Sequence, residues 1–361
     1  MSKRSKHRKK RTEQDAYLKT RVEEISEAHS PTLKIVAGLS ASRKRLFSTF
    51  SISLFLILVS VSIGSLIGSL YYKKNVLGAS SKAALDSKEA TFSGQEKKTT
   101  YSPFLEEVKR QGIVEPEILA TSAIVVSSKT RKILYEKEPD LKLPPASTTK
   151  ILTALIAIKE FNLGDLIEVS ETCTKVEGAK IGLRPSEKIS VESLLYGVLV
   201  ASAGDAACAL SSNLLSEQAF VTKMNELARE IGVTNTNFTN AIGLDSSDGG
   251  HVSTARDLYI MASNAMKNGV FRKIVGTKEE VLYSKDLKLS HPIRSTNKLL
   301  FEIPGALGIK TGKTEKAKEV LVFSYQYKDD EIITIVMGSS DRFADTKKLI
   351  EFVDKNYSLL L

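Results

Sequence analysis

Histidine and cysteine are scarce in this chain of 361 residues, which has four of the first and two of the second. His7, His29, His251 and His291 are scattered, so no ligand cluster for zinc forms and no metal site is expected. Cys173 and Cys208 allow at most one disulfide, and two buried thiols fit the sequence equally well. No internal repeat is visible. Charge is missing altogether from residues 47–72, FSTFSISLFLILVSVSIGSLIGSLYY. A run of roughly 25 apolar residues at 1.5 Å each crosses a bilayer. It is too long for the apolar core of a signal peptide, and no polar face interrupts it as in a surface helix. We read it as a retained transmembrane helix.

What is abundant is positive charge at one end. The formal net charge is +10. Before residue 46, 13 lysines and arginines from Lys3 to Arg45 stand against Glu13, Asp15, Glu23, Glu24 and Glu27. The basic side of a span stays in the cytoplasm, so the N-terminus is expected inside and the remainder outside the cell membrane. The tail lacks interleaved aromatics and abuts the span, so lipid headgroups are the simpler partner and no nucleic acid is expected. Hydrophobic residues make up 42% of the chain, enough for a proper core. The expected organisation is a disordered basic tail (1–46), the span (47–72), a flexible linker (73–118) and one folded domain (119–361). Residues 103–112 within the linker are compatible with a short helix.

In the folded domain, 122–128 (SAIVVSS) and 132–136 (KILYE) read as a strand hairpin. After Pro144 and Pro145, apolar residues at Ile151, Leu152, Leu155, Ile156 and Ile158 have helical spacing, from Ser147 to a stop at Gly164. Residues 191–201 and 205–215 read as buried helices. Helices follow at 216–231 and 254–268, the latter capped by Ser253 or Thr254 and closed by Gly269. Strands are expected at 308–312, 319–327 and 331–338, and a last helix at 341–356. Two strands, a helical block, three strands and a helix make an α+β protein, the terminal strands sharing one antiparallel sheet.

Three short motifs carry the chemistry. In S-T-T-K, a helix opening at Ser147 sets the Lys150 amine beside the Ser147 hydroxyl, since i and i+3 share a face. A serine hydroxyl needs a base, and a partly buried lysine has the lowered pKa to serve. The helix start adds N–H donors for an oxyanion. A single S-x-x-K is more often a pair of solvated side chains, and a second copy stands at Ser295 and Lys298. Ser147 differs in opening an apolar helix. Next, Ser202 heads S-A-G-D at a polar break between two buried helices, where a capping serine and a proton relay are equally good readings. Last, Lys310, Thr311 and Gly312 lie on an expected strand. There Gly312 would admit a substrate backbone and Lys310 would meet a carboxylate.

S-x-x-K, S-x-x and K-T-G in this order are the signature of penicillin-binding proteins and serine β-lactamases. From about residue 119 the chain resembles the D-alanyl-D-alanine carboxypeptidases, the low-molecular-weight penicillin-binding proteins. PASTTKILTAL, GLRPSEKISVESLLYGVLVAS, NFTNAIGLDSSDGGHVSTARDL, GIKTGKTEKA and VMGSSDRFADTKKL carry the likeness. The resemblance implies a β-lactamase/transpeptidase-like fold, an antiparallel sheet flanked by helices with an all-helical subdomain. It implies Ser147 as acylated nucleophile, Lys150 as general base and Ser202 as proton relay. Lys310 and Thr311, aided by Arg342, would hold the substrate carboxylate, and the N–H groups of Ser147 and Lys313 the oxyanion. The implied reaction removes terminal D-alanine from a peptidoglycan stem peptide, with β-lactams as covalent inhibitors and no metal or organic cofactor.

One departure matters. The family's middle motif ends in asparagine, where this chain has Gly204. Losing one such polar contact costs on the order of 10²–10³ in rate by analogy with deleting a transition-state donor. A weak or inactive paralogue that binds peptidoglycan is therefore the alternative to an active carboxypeptidase. A serine β-lactamase ranks last, because the loop NTNFTNAIGLDSSDGG lacks a glutamate to activate the deacylating water.

Overall fold

The computed structural model describes residues 106–107 and 113–360. All belong to one compact unit, 97–361. The expected tail and span, with most of the linker, lie outside the described residues. Among those described, no helix is long and apolar enough to cross a membrane.

Six strands form the main sheet. These are β1 (Glu106–Glu107), β2 (Ser122–Ser127), β3 (Lys132–Lys137), β8 (Ala306–Thr314), β9 (Lys318–Tyr327) and β10 (Asp330–Ser339), in the order β1-β3-β2-β10-β9-β8. All neighbours are antiparallel except β1, which pairs in parallel with β3. Within the stretch 103–112 weighed as a short helix, Glu106–Glu107 form a strand, and the rest of it lies outside the described residues. Its partner is a distant strand edge, which a local pattern does not reveal.

Strand side chains alternate between faces, and here both faces are covered. Ile124, Val126, Ile333, Ile335 and Val322 pack into one core with the helical block. Ala123, Val125, Ile332, Val336, Leu321 and Phe323 pack into a second core. Leu349, Ile350, Phe352 and Val353 of the last helix close that second core. Each large apolar side chain fully buried this way contributes about 1.5–3 kcal/mol.

Between β3 and β8 the chain runs through a 3₁₀ turn (Ala146–Thr149), α1 (Lys150–Glu160), β4 (Leu166–Glu168), α2 (Glu171–Thr174) and β5 (Lys188–Ser190). There follow α3 (Val191–Leu199), α4 (Gly204–Leu214), α5 (Glu217–Glu230), α6 (Ala255–Ala265) and α7 (Gly269–Val275). Then come β6 (Glu279–Tyr283), β7 (Ser290–Arg294) and α8 (Leu299–Glu302), while α9 (Arg342–Leu360) follows β10. Helix α1 is apolar on nearly every side and sits among α3, α4, α5 and α6. Ser190, Ser216 and Thr254 cap α3, α5 and α6, each accepting an N–H three residues on. Gly269 does not close α6, because Asn268 caps a further helix, its side chain accepting from Val270 and Phe271. Cys173 and Cys208 form a disulfide that ties α2 to α4. Closing a loop of this size stabilises by roughly 3–4 kcal/mol in the chain-entropy picture.

Candidate active site

Ser147 lies on the 3₁₀ turn, not yet on the α-helix, which begins at Lys150. The expected proximity survives this correction, because i and i+3 eclipse in a 3₁₀ turn. Lys150 Nζ is 3.0 Å from Ser147 Oγ. It also donates to the carbonyl of Ile242, 2.5 Å away. Lys150 as a whole is 2% exposed. Burial lowers its pKa to about 7, with Asp205 pulling weakly the other way. At neutral pH such an amine is charged and neutral in comparable amounts, as a base requires.

Two strained residues aim the nucleophile and its neighbour. Ala146 has φ +48° and Ser202 has φ +61°, a left-handed conformation costing a non-glycine residue about 1–3 kcal/mol. Ser202 opens the turn between α3 and α4, and its Oγ accepts from Lys310 Nζ at 2.8 Å. Lys310 is wholly buried and also donates to the Thr311 carbonyl at 2.9 Å. Burial holds its pKa well below the lysine range, and the Lys150 and Arg342 charges lower it further.

Strand β8 is the sheet edge nearest the nucleophile. A Cβ at Gly312 would lie 2.9 Å from Ala146 Cβ, 3.0 Å from Pro145 O and 3.1 Å from Ser147 N. Only glycine lets the strand approach the turn so closely. Thr311 Oγ1 is 2.6 Å from Thr296 Oγ1. Arg342, at the start of α9, donates to the Gly312 carbonyl at 2.7 Å. Lys313 is exposed at the rim and paired with Glu319 at 3.0 Å.

These groups share one cavity of about 200 Å³, lined by Ser147, Lys150, Ser202, Thr311, Gly312, Lys313 and Arg342, and by Gly204, which adds no side chain. Lys310 lies behind it, against Ser202. The structure thus brings every residue singled out from the motifs to one place. Ser295 and Lys298 are not among the residues lining this cavity. A larger groove of about 440 Å³, between Arg184–Lys188 and Ser284–Leu289, shares no residue with this cavity, and its Ser284 hydroxyl donates to Asp286 at 2.8 Å.

Several contributors were not visible in the motifs. Asn240 Oδ1 accepts from the N–H groups of Ile242, Gly243 and Leu244, and so shapes the loop that offers Ile242 O to Lys150. Gly243 has φ +80°, and a Cβ there would collide with the Ala146 carbonyl at 2.2 Å. An asparagine three residues before a glycine was the available signal, because Asx turns build such loops. His251 accepts from Thr239 N at 3.0 Å through Nδ1, which leaves Nε2–H to face Thr149 Oγ1 at 2.8 Å. Thr149 in turn donates to Ala146 O, bracing the nucleophile turn. Asp205, fully buried, accepts from the N–H groups of Ile181, Gly182 and Leu183.

The comparisons with known proteins agree with this geometry. A family profile described as D-alanyl-D-alanine carboxypeptidase matches residues 109–341. The D-alanyl-D-alanine carboxypeptidase DacF of Bacillus subtilis is 36% identical over 247 residues, 66% of this chain and 63% of that protein. The chain therefore spans somewhat less than two-thirds of the Bacillus relative. The crystal structure of a Streptomyces DD-transpeptidase superposes with a TM-score of 0.63 at 30% identity, covering 68% of this chain and 100% of that one. A penicillin-binding protein homologue of Mycobacterium tuberculosis superposes with a TM-score of 0.64 at 30% identity, over 68% and 95% of the two chains. The α+β architecture is the transpeptidase-like one, and the chain belongs to the D-alanyl-D-alanine carboxypeptidase family.

Proposed function

We propose that this protein is a serine D-alanyl-D-alanine carboxypeptidase that acts on peptidoglycan stem peptides through an acyl-enzyme on Ser147. The observation that carries the reading is the buried Lys150 amine, with a pKa of about 7, placed 3.0 Å from the Ser147 hydroxyl. Lys150 takes the proton as Ser147 Oγ attacks the carbonyl of the penultimate D-alanine. The N–H groups of Ser147 and Lys313 receive the oxyanion. The terminal carboxylate rests on Thr311 and the positive field of Lys310 and Arg342. An arriving carboxylate raises the depressed pKa of Lys310, so binding itself charges that lysine. Ser202 passes a proton to the leaving amine, D-alanine departs, and water then cleaves the ester. β-Lactams enter as covalent inhibitors at the same serine.

The test is labelling with a fluorescent penicillin. Wild type is expected to label at Ser147 and to release D-alanine from a stem-peptide mimic, whereas Ser147→Ala does neither. No label and no D-alanine from wild type would sink the proposal.

Gly204 favours a second reading, a weak paralogue that mainly binds peptidoglycan. Gly204→Asn separates the two. A large gain in turnover would mark the native site as compromised. We expect no gain, because a Cβ at position 204 already meets Glu177 O at 3.3 Å and Ala179 O at 3.4 Å. The place of the missing side chain is filled by backbone.

For location, we propose that residues 47–72 span the cell membrane once, with the N-terminus in the cytoplasm and the catalytic domain outside. The lysine and arginine asymmetry supports this. So does the Cys173–Cys208 disulfide, a bond that persists in oxidising compartments.

A further inference from the structure

The β6–β7 hairpin stands on a firm base. Leu282, His291 and Ile293 are buried beneath it. His291 bonds through Nε2 to Glu187 at 2.7 Å and through Nδ1 to Ile181 O at 3.1 Å. Lys285 N donates to Lys188 O at 2.7 Å. Backbone and polar side chains close the turn. Leu287 N donates to Ser284 O at 2.9 Å, and Asp286 Oδ1 accepts from Ser284 Oγ at 2.8 Å and from Lys288 N at 3.2 Å.

Leu287, in that turn, serves none of this with its side chain. It has φ +58°, in the left-handed region that glycine occupies without steric cost. It is 67% exposed and belongs to neither core. Glycine would suit the fold better. Behind it, on the hairpin's outer face, half-exposed Val281 lies opposite Pro292. Cations surround the tip. Lys285 and Lys288 flank Leu287, and Arg184 and Lys188 line the groove alongside, where Asp286 is the one exposed acid. Lys288 pairs with Asp286 at 3.1 Å and Lys188 with Glu168 at 3.4 Å, while Arg184 and Lys285 have no ion-pair partner among the described residues. An exposed leucine ringed by lysine and arginine matches an apolar layer beneath negative headgroups. A soluble polyanion would use the cations but leave the leucine in water.

Resting on the proposed span at 47–72, we propose that the β6–β7 tip is a second, reversible membrane contact for a bilayer containing anionic lipid. Leu287 enters the boundary between headgroups and acyl chains, and Lys285, Lys288, Arg184 and Lys188 meet the headgroups. One leucine and a few cations hold a bilayer weakly by themselves. The span makes the contact intramolecular and so raises its occupancy. By chain length alone, residues 73–112 reach at most about 130 Å, so any face of the domain can come to the membrane. Strand β7 ends at Arg294, and Thr296 just beyond it lines the catalytic cavity. Docking of the tip therefore sets how far that cavity stands from the bilayer.

The test uses the full-length protein in vesicles of phosphatidylcholine with phosphatidylglycerol. A polarity-sensitive fluorophore is carried by the Ser290→Cys variant, beside the tip, or by Glu351→Cys, exposed on α9. At low salt the Ser290→Cys probe is expected to shift to the blue and to be quenched by spin-labelled lipid, while the Glu351→Cys probe stays in water. The signal fades in about 1 M salt, where the screening length is about 3 Å. Adding Leu287→Gly brings it to the level of the Glu351→Cys control, without lowering the midpoint of urea unfolding. Lys285→Glu weakens it. Equal signals from the two probes, a signal that survives Leu287→Gly, or a fall in the unfolding midpoint of that variant overturns the inference. So does a Ser290→Cys probe that ignores vesicles but responds to long-chain polyphosphate, which would mark a surface for soluble polyanions. If the protein floats with the vesicles while this probe stays in water, the hairpin contact alone is refuted. If it does not float at all, the proposed span fails with it.

Discussion

Lys150 works against the fold that holds it. The folded protein releases this proton near pH 7, while the unfolded chain keeps it until about 10.5. Between those values the unfolded state binds more protons, so stability rises with pH across that window, and below it the burial penalty is felt in full. Two outcomes follow. The rate of Ser147 acylation, followed by stopped-flow with a penicillin, should rise with pH and reach half its plateau near pH 7. Lys150→Met should abolish acylation yet raise stability to urea by about 2 kcal/mol at pH 7, a benefit that shrinks towards pH 10. His251 acts in a lower range. Burial lowers its pKa to about 4, so its contribution is lost as pH falls from about 6.5. At this scale the motif residues were legible because their chemistry is written in side chains. The Ile242 carbonyl was not, since any residue supplies one. The part of Asp205 was also hidden, because three of the backbone groups it holds lie more than twenty positions away.

Among the elements, β8 and the 3₁₀ turn form the most exacting contact. Gly312→Ala places a Cβ within about 3 Å of Ala146, Pro145 and Ser147. One of the two must move. A displacement near 1 Å at a nucleophile costs on the order of 10² in rate. We expect acylation to slow by about that factor, while overpacking lowers stability by about 1–3 kcal/mol in thermal or urea unfolding. Acylation at the wild-type rate would show that the approach of strand and turn does not set the geometry. Long elements with one clear period were readable: β2, β3, β9, β10 and helices α1, α3, α4 and α5 lie within a few residues of expectation. The small pairs β4–β5 and β6–β7 were not. Three-residue strands are too short for a period to show, and β6 is largely exposed. Helix α7 was missed because Asn268-Gly269 reads as the end of one helix as easily as the start of another.

For the whole molecule, the fold class followed from the order of elements, two strands, helices, three strands and a helix. The antiparallel sheet with a helical block is the result. Placement of the domain is a matter for residues 47–72. If they anchor the protein as proposed, protein in right-side-out membrane vesicles should remain in the pellet after a high-salt wash. Added protease should then release the penicillin-labelled domain and leave a short protected fragment. Release by salt alone would count against the anchor.

The pairing of β2 with β10 reaches across the chain, from Ser127 to Ile332. The opening hairpin therefore waits, one side unmatched, until β10 has been made. Pairings so distant in sequence fold slowly, and an open strand invites adhesion to other chains. A polypeptide cut short before residue 330 would not be a smaller version of this enzyme but a sticky intermediate. The same span that completes the sheet thus leaves its first hairpin open to other chains until β10 arrives.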